Sequence, residues 1–179
     1  MLAYRDGDAS AFEILYNRFR GPMYRYLLRQ CGNAGIAEEL FQDVWMSLIR
    51  TRERYEVKAS FSTYVYHMAH NRLIDHYRKH AGKLPVSYDE NDADGDGAMP
   101  DPGIQPVETR LDNQRQVEAL LIAIDALPEA QREAFLLKEE VGMSLEQIAE
   151  ATGANHETVK SRLRYAISKL RTHMAGSGQ

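Results

Sequence analysis

Glu157, Thr158, Lys160, Ser161 and Arg164 recur at the spacing of one helical face, and their types suit one kind of chemistry. Small hydroxyls, an acid and two bases can hold phosphates and read base edges in a major groove. A second concentration mixes rings, an amide and bases: Thr63, Tyr66, His67, His70, Asn71, Tyr77 and Arg78. Groups of these kinds on an accessible face would stack on unpaired bases and hydrogen-bond to their edges. A third, Glu38, Glu39, Gln42 and Asp43 with Met46 beside them, is acidic. By spacing alone this strip reads as a solvated helix start, because the helix dipole favours acids near an N-terminus. Taken singly, each of the first two sets also fits an ordinary polar helix surface.

Two further patterns invite metal chemistry and lack the means for it. His67/His70 and His76/His80 stand one turn apart, but no Glu is placed as in HExxH and no thiol lies nearby. Asp92, Asp94, Asp96 and Gly97 imitate the start of a calcium loop, yet Gly103 stands where a bidentate Glu is required, and Pro100 and Pro102 distort the frame. No metal or cofactor is therefore expected. Nor does any nucleophile, base and orienting group assemble into a catalytic set.

The elements that must position these residues read as helices throughout. Ser144 and Gln147 form a capping box opening a short helix with Leu145, Ile148 and Ala149 on one face. Gly153 breaks it, and Asn155 caps a second helix from residue 156 to about 171, striped by Val159, Leu163, Ala166, Ile167 and Leu170. This is a helix-turn-helix pattern, with the first set of residues on its second helix. Near the start, Asp8 caps a helix carrying Phe12, Leu15, Tyr16 and Phe19. Gly21-Pro22 is expected to interrupt it before a second helix with Tyr26 and Leu27, which ends at Gly32-Asn33. Residues 35–52 form a third helix with Ala37, Leu40, Phe41, Val44, Trp45, Leu48 and Ile49 inward.

A loop over residues 51–60 leads to a fourth helix, capped by Ser60 or Ser62 and buried through Tyr64, Val65, Met68 and Ala69. Residues 83–106 are rich in Asp, Gly and Pro and read as a disordered acidic linker. Helical periodicity restarts at residue 107 through Leu111, Val117, Leu120, Leu121 and Ile124. Pro128 opens a helix with Phe135, Leu136 and Leu137, ending near Val141-Gly142. No strand pattern appears, so the chain is expected to be all-α: two small helical domains, 1–82 and 107–179, joined by the linker.

The 179 residues carry a formal net charge of −4, with a single cysteine, Cys31. An acidic whole with local basic faces gives weak long-range attraction to DNA, so a nucleic-acid role would depend on local patches or a partner. One cysteine excludes an internal disulfide and fits a reducing cytoplasm. No signal peptide or long apolar run is seen, so the expectation is a cytoplasmic chain without membrane insertion.

Three blocks together resemble the extracytoplasmic-function (ECF) group of bacterial sigma-70 factors. AEELFQDVWMSL at residues 37–48 is similar to the family's region 2.2. Phe61, Tyr64, Val65, Met68, Ala69, Asn71, Asp75 and Arg78 follow its region 2.3 to 2.4, and SLEQIAEATGANHETVKSRL at residues 144–163 is similar to region 4.2. Tyr64 replaces the family's usual Trp, and Glu157 its usual Gly.

The resemblance implies a promoter-specificity subunit of RNA polymerase and not an enzyme. Residues 1–82 would dock on core polymerase at the β′ clamp helices through Glu39, Gln42 and Asp43. The loop at 52–60 with Phe61 and Asn71 would capture a flipped minus-ten base, among candidate contacts Thr63, His67, His70 and Arg78. Residues 107–179 would meet the β flap and read a minus-thirty-five duplex through Glu157, Thr158, Lys160, Ser161 and Arg164. An anti-sigma factor is an implied partner, and promoter DNA the implied ligand. A stand-alone helix-turn-helix repressor would leave the acidic helix and the Tyr/His/Asn helix without a task. A metal-dependent hydrolase would lack its ligand set.

Overall fold

The computed structural model describes residues 1–80 and 110–176. The stretch 83–106, read above as a disordered linker, lies outside the described residues, as do the first residues of the helix expected from 107 and the calcium-loop imitation. Among the described residues the structure is entirely helical, without a strand.

After a single turn, α1 (Leu2–Arg5), comes the long α2 (Ala9–Cys31). The Asp8 carboxylate accepts from Ser10 N at 2.9 Å and from the Ser10 hydroxyl at 2.6 Å, which caps α2 and holds that carboxyl below its ordinary range. The expected break at Gly21-Pro22 does not occur, and the helix runs through Pro22. Pro22 forfeits one backbone bond, to the Arg18 carbonyl. The preceding Gly21, however, has no Cβ for the proline ring to strike, and Met23, Tyr26 and Leu27 just beyond are all fully buried. Packing of that next turn outweighs the lost bond. Gly32, at φ 64°, then ends α2 in the left-handed conformation.

Asn33 caps α3 (Ala34–Thr51) by accepting from Ile36 N at 3.1 Å. A 3-10 turn at Arg52–Arg54 and a buried Tyr55 replace part of the expected loop, since Tyr55 packs edge-on to Tyr64 at 5.0 Å. Ser60, and not Ser62, caps α4 (Phe61–His80) by accepting from Thr63 N. The first core lies among α2, α3 and α4: Met23, Tyr26 and Leu27 against Leu40, Val44, Trp45 and Leu48, and against Val65, Tyr66, Ala69 and Leu73. Trp45 meets the rings of Tyr16 and Phe12 edge-on at 4.9 and 5.8 Å, so α2 and α3 are joined by aromatic as well as aliphatic area. Ile49, expected inward, is instead exposed.

The second core joins α5 (Arg110–Asp125), α6 (Glu129–Glu139), α7 (Leu145–Thr152) and α8 (His156–Gly176). Ile124, Leu127, Leu136, Leu137, Ile148, Val159, Leu163, Ala166 and Leu170 fill it. Val117, expected in the apolar stripe, is 55% exposed, because α5 settles on α8 by its last turns through Ala123 and Ile124. α8 runs five residues past the expected end.

The two halves touch. α4 packs on α7 and α2 on α6, so that the helix-turn-helix lies against the helix rich in Tyr, His and Asn.

Candidate nucleic-acid interface

The helix-turn-helix is built by local bonds the sequence dictates. Ser144 Oγ accepts from Gln147 N at 3.2 Å while Gln147 Oε1 accepts from Ser144 N at 2.9 Å, closing the capping box. Gly153 turns the chain at φ 68°, a conformation costly for any residue with a Cβ. Asn155 Oδ1 accepts from Thr158 N at 2.7 Å and starts α8. Buried Val159, Leu163 and Ala166 fix which way α8 faces. Its outer side then presents Glu157, Lys160 and Arg164 exposed, with Thr158 and Ser161 half-buried between them. Lys160 Nζ lies 3.7 Å from Glu157 Oε2, and the Arg164 guanidinium rests 5.2 Å from the Tyr165 ring centroid. Both bases are held loosely at the surface, where exposed pairs are weak and exchange readily for phosphate. Glu146, at the foot of the turn, is kept below the ordinary carboxylate range by the Ser144 hydroxyl first, then by its own backbone N–H and by His156.

α3 presents Glu39, Gln42 and Asp43 on solvent, with Gln42 Nε2 donating to Glu38 Oε1 at 3.2 Å. Met46 and Ile49 continue the strip, 45% and 37% exposed, giving a polar surface an apolar margin suited to a protein partner. Ile49 at this margin was missed because helical spacing alone put it with the core.

On α4 the predicted residues divide. Phe61 is half-buried, its ring edge-on to Phe19 at 5.1 Å, and Asn71 and Arg78 are exposed. Thr63, Tyr66 and His70, expected on an accessible face, are buried at 2%, 1% and 8% exposure. The reason is α2 and the second half of the molecule, which pack over them. Burial pushes the Tyr66 phenol well above its ordinary range. Glu133 of α6, itself 5% exposed, accepts on one oxygen from both His70 Nδ1 at 2.7 Å and Tyr26 OH at 2.6 Å. His67 Nδ1 donates to the Ala151 carbonyl of α7 at 2.9 Å, leaving Nε2 to accept from the Asn71 amide at 3.0 Å.

Glu133 was missed by sequence reading, although its place in the stripe of Ala130, Ala134 and Leu137 was a signal: an acid at an inward position must find donors. The rings of His76 and His80 lie 4.2 Å apart, tilted by 31°, and His76 is held below its ordinary range by burial first and then by the His80 charge. Among the described residues no three His, Cys, Asp or Glu side chains gather as metal ligands, and no helix is long and apolar enough to cross a membrane.

The profile of sigma-70 region 2 matches residues 15–82, and that of sigma-70 region 4 matches residues 118–170. The chain is 31% identical over 179 residues to the ECF RNA polymerase sigma factor RpoE of Cereibacter sphaeroides, covering 98% of this chain and 93% of that one. It is 30% identical over 168 residues to the ECF sigma factor SigK of a Mycobacterium strain, covering 92% and 83%. The fold is similar to the sigma factor RpoE in its complex with the anti-sigma factor NepR from Bartonella quintana, with a TM-score of 0.69 at 20% identity over 93% of this chain and 98% of that one. It is also similar to CnrH in complex with the cytosolic domain of CnrY, with a TM-score of 0.66 at 17% identity over 96% and 92%.

Proposed function

Since the chain belongs to the ECF group of the sigma-70 family, and so is a promoter-specific subunit for starting transcription, we propose that it reads its promoters at two places with the residues described above. Sigma factors of this family are regulatory subunits. Bond making remains with the polymerase, and this chain works beside it in the cytoplasm.

The outer face of α8 reads the minus-thirty-five duplex. Thr158 and Ser161 serve base edges or phosphates at close range, while Lys160 and Arg164 reach further, and Glu157 accepts from an amino group. Phe61 and Asn71, with the turn at 52–60, hold a base flipped from the minus-ten strand, and His67, Arg78, Thr63 and His70 lie along the same helix. Glu39, Gln42 and Asp43 dock residues 1–82 on the β′ clamp helices, with Met46 and Ile49 at the margin. Residues 107–179 form the duplex-reading module at the β flap, and 83–106 link the two. RpoE is bound to the anti-sigma factor NepR and CnrH to the cytosolic domain of CnrY, which supports a protein partner, an anti-sigma factor, here.

The observation that carries this reading is the capped helix-turn-helix whose second helix turns its hydroxyls and bases outward. Run-off transcription with core polymerase on fragmented genomic DNA tests it: discrete start sites that depend on the added chain are expected, and none would refute it. In the same assay Asn71→Ala should bind core normally but open duplex poorly, read as weakened permanganate reactivity around minus ten. Normal opening by that variant removes Asn71 from the capture site.

A further inference from the structure

Four ionisable side chains lie in a row that crosses from one helix of the helix-turn-helix to the other. His156 Nε2 stands 3.3 Å from Glu146 Oε1 of α7, and His156 Nδ1 stands 3.6 Å from Glu157 Oε1 in the first turn of α8. Lys160 Nζ takes the other oxygen of Glu157 at 3.7 Å. Among the described residues these two acids are the only ion-pair partners of His156. Glu146 is kept ionised by the Ser144 hydroxyl first and then by its own backbone N–H.

A neutral imidazole carries one N–H, so it would turn a lone pair toward one of these carboxylates, whereas the imidazolium offers an N–H to both. A cation at the start of α8 opposes the helix dipole, and the two acids offset that cost. Glu157, with one oxygen toward His156 and the other toward Lys160, is thereby given a direction. Pairs as exposed as these are individually weak, so the hold is a bias and not a lock.

An acid on a face that meets phosphates only repels DNA unless it finds a donor to accept from. In the major groove cytosine shows an amino group with no acceptor beside it, adenine sets N7 next to its amino group, and guanine and thymine turn acceptors outward. A carboxylate can only accept, so it fits cytosine best and is pushed away by the acceptors of the other bases. We propose that Glu157 selects a cytosine in the minus-thirty-five duplex and that His156, tied to Glu146, positions it, so that the choice of base weakens as the imidazole loses its proton. This rests on the reading of α8 as the duplex-reading helix, and it adds to that reading the base chosen and a residue that acts through another.

The test uses the full-length chain with core polymerase, titrated against a promoter duplex taken from the run-off start sites and against its singly substituted versions. The readout is the ratio of affinities at each base pair, because a charge lost from His156 weakens all duplexes alike and leaves such ratios untouched. Wild type should prefer C·G at one pair by about tenfold, and Glu157→Gln should move that preference to A·T, since an amide bonds N6 and N7 of adenine together. At about pH 6, where imidazole is largely charged, His156→Ala should cut the cytosine preference roughly two- to fivefold, the scale of an exposed ion pair, and His156→Lys should restore it. Between about pH 6 and about pH 8 the wild-type ratio should fall by a similar factor while both His156 variants stay level. An unchanged preference in Glu157→Gln, or a wild-type preference for another base at the pair it alters, would overturn the cytosine assignment. A wild-type ratio and pH profile in His156→Ala, or a His156→Lys variant no better than His156→Ala, would overturn the positioning. If Arg164→Ala also leaves every ratio unchanged, the duplex reading of α8 has failed instead.

Discussion

Arg164 and Lys160 differ in what their loss should do, although both are exposed bases on the same face of α8. A guanidinium can bond two acceptors of one guanine at once, whereas an ammonium acts as a point charge for phosphate. Arg164→Ala should therefore weaken minus-thirty-five binding by about 1 to 3 kcal/mol and relax selectivity at one base pair. Lys160→Ala should weaken all duplexes alike and flatten the salt dependence by roughly one unit of slope. Titrations of wild type and variants against a set of singly substituted duplexes at several salt concentrations separate the two, and wild-type affinity in both variants would remove them from the interface. The residue scale also shows what sequence could and could not reveal. Glu157, Lys160 and Arg164 were placed outward correctly because Val159, Leu163 and Ala166 leave that side no alternative. His70 was placed outward wrongly because its partner Glu133 lies 63 residues away, and a pattern that repeats every few residues carries no information about such a neighbour.

Local caps and turns were easier to read from the sequence than the continuity of a helix. The Ser144/Gln147 box, the Asn155 cap and the Gly153 turn were legible because each depends on residues within four positions of one another. The continuity of α2 through Pro22 was not, since it is decided by the burial of Met23, Tyr26 and Leu27 against other helices. α3 is the element whose outer strip makes the clearest prediction. Glu39→Lys with Asp43→Lys reverses the charge of two exposed positions, so the core among Leu40, Val44 and Trp45 is untouched and helical circular dichroism should not change. Core polymerase, meeting repulsion in place of complementarity, should be lost in a pull-down at physiological salt. Retained affinity with unchanged circular dichroism would count against docking through this strip.

For the whole molecule, a net charge of −4 sets the terms on which it meets DNA. Non-specific affinity comes mainly from neutralised phosphates, and this chain offers only local patches for the purpose. The isolated protein should bind promoter duplex weakly and with strong salt dependence. Addition of core polymerase should give tight, sequence-selective binding, since each promoter contact then raises the effective concentration of the other. Gel-shift titrations with and without core decide it; selective nanomolar-range binding by the free chain, unaffected by core, would favour a stand-alone repressor. The bonds between the halves, carboxylates and carbonyls met by guanidinium, imidazole and phenol groups, bear on a different property of the chain. Groups of that kind are hydrated as soon as they part, so at those contacts a molecule caught half-open offers other proteins wet surface instead of grease.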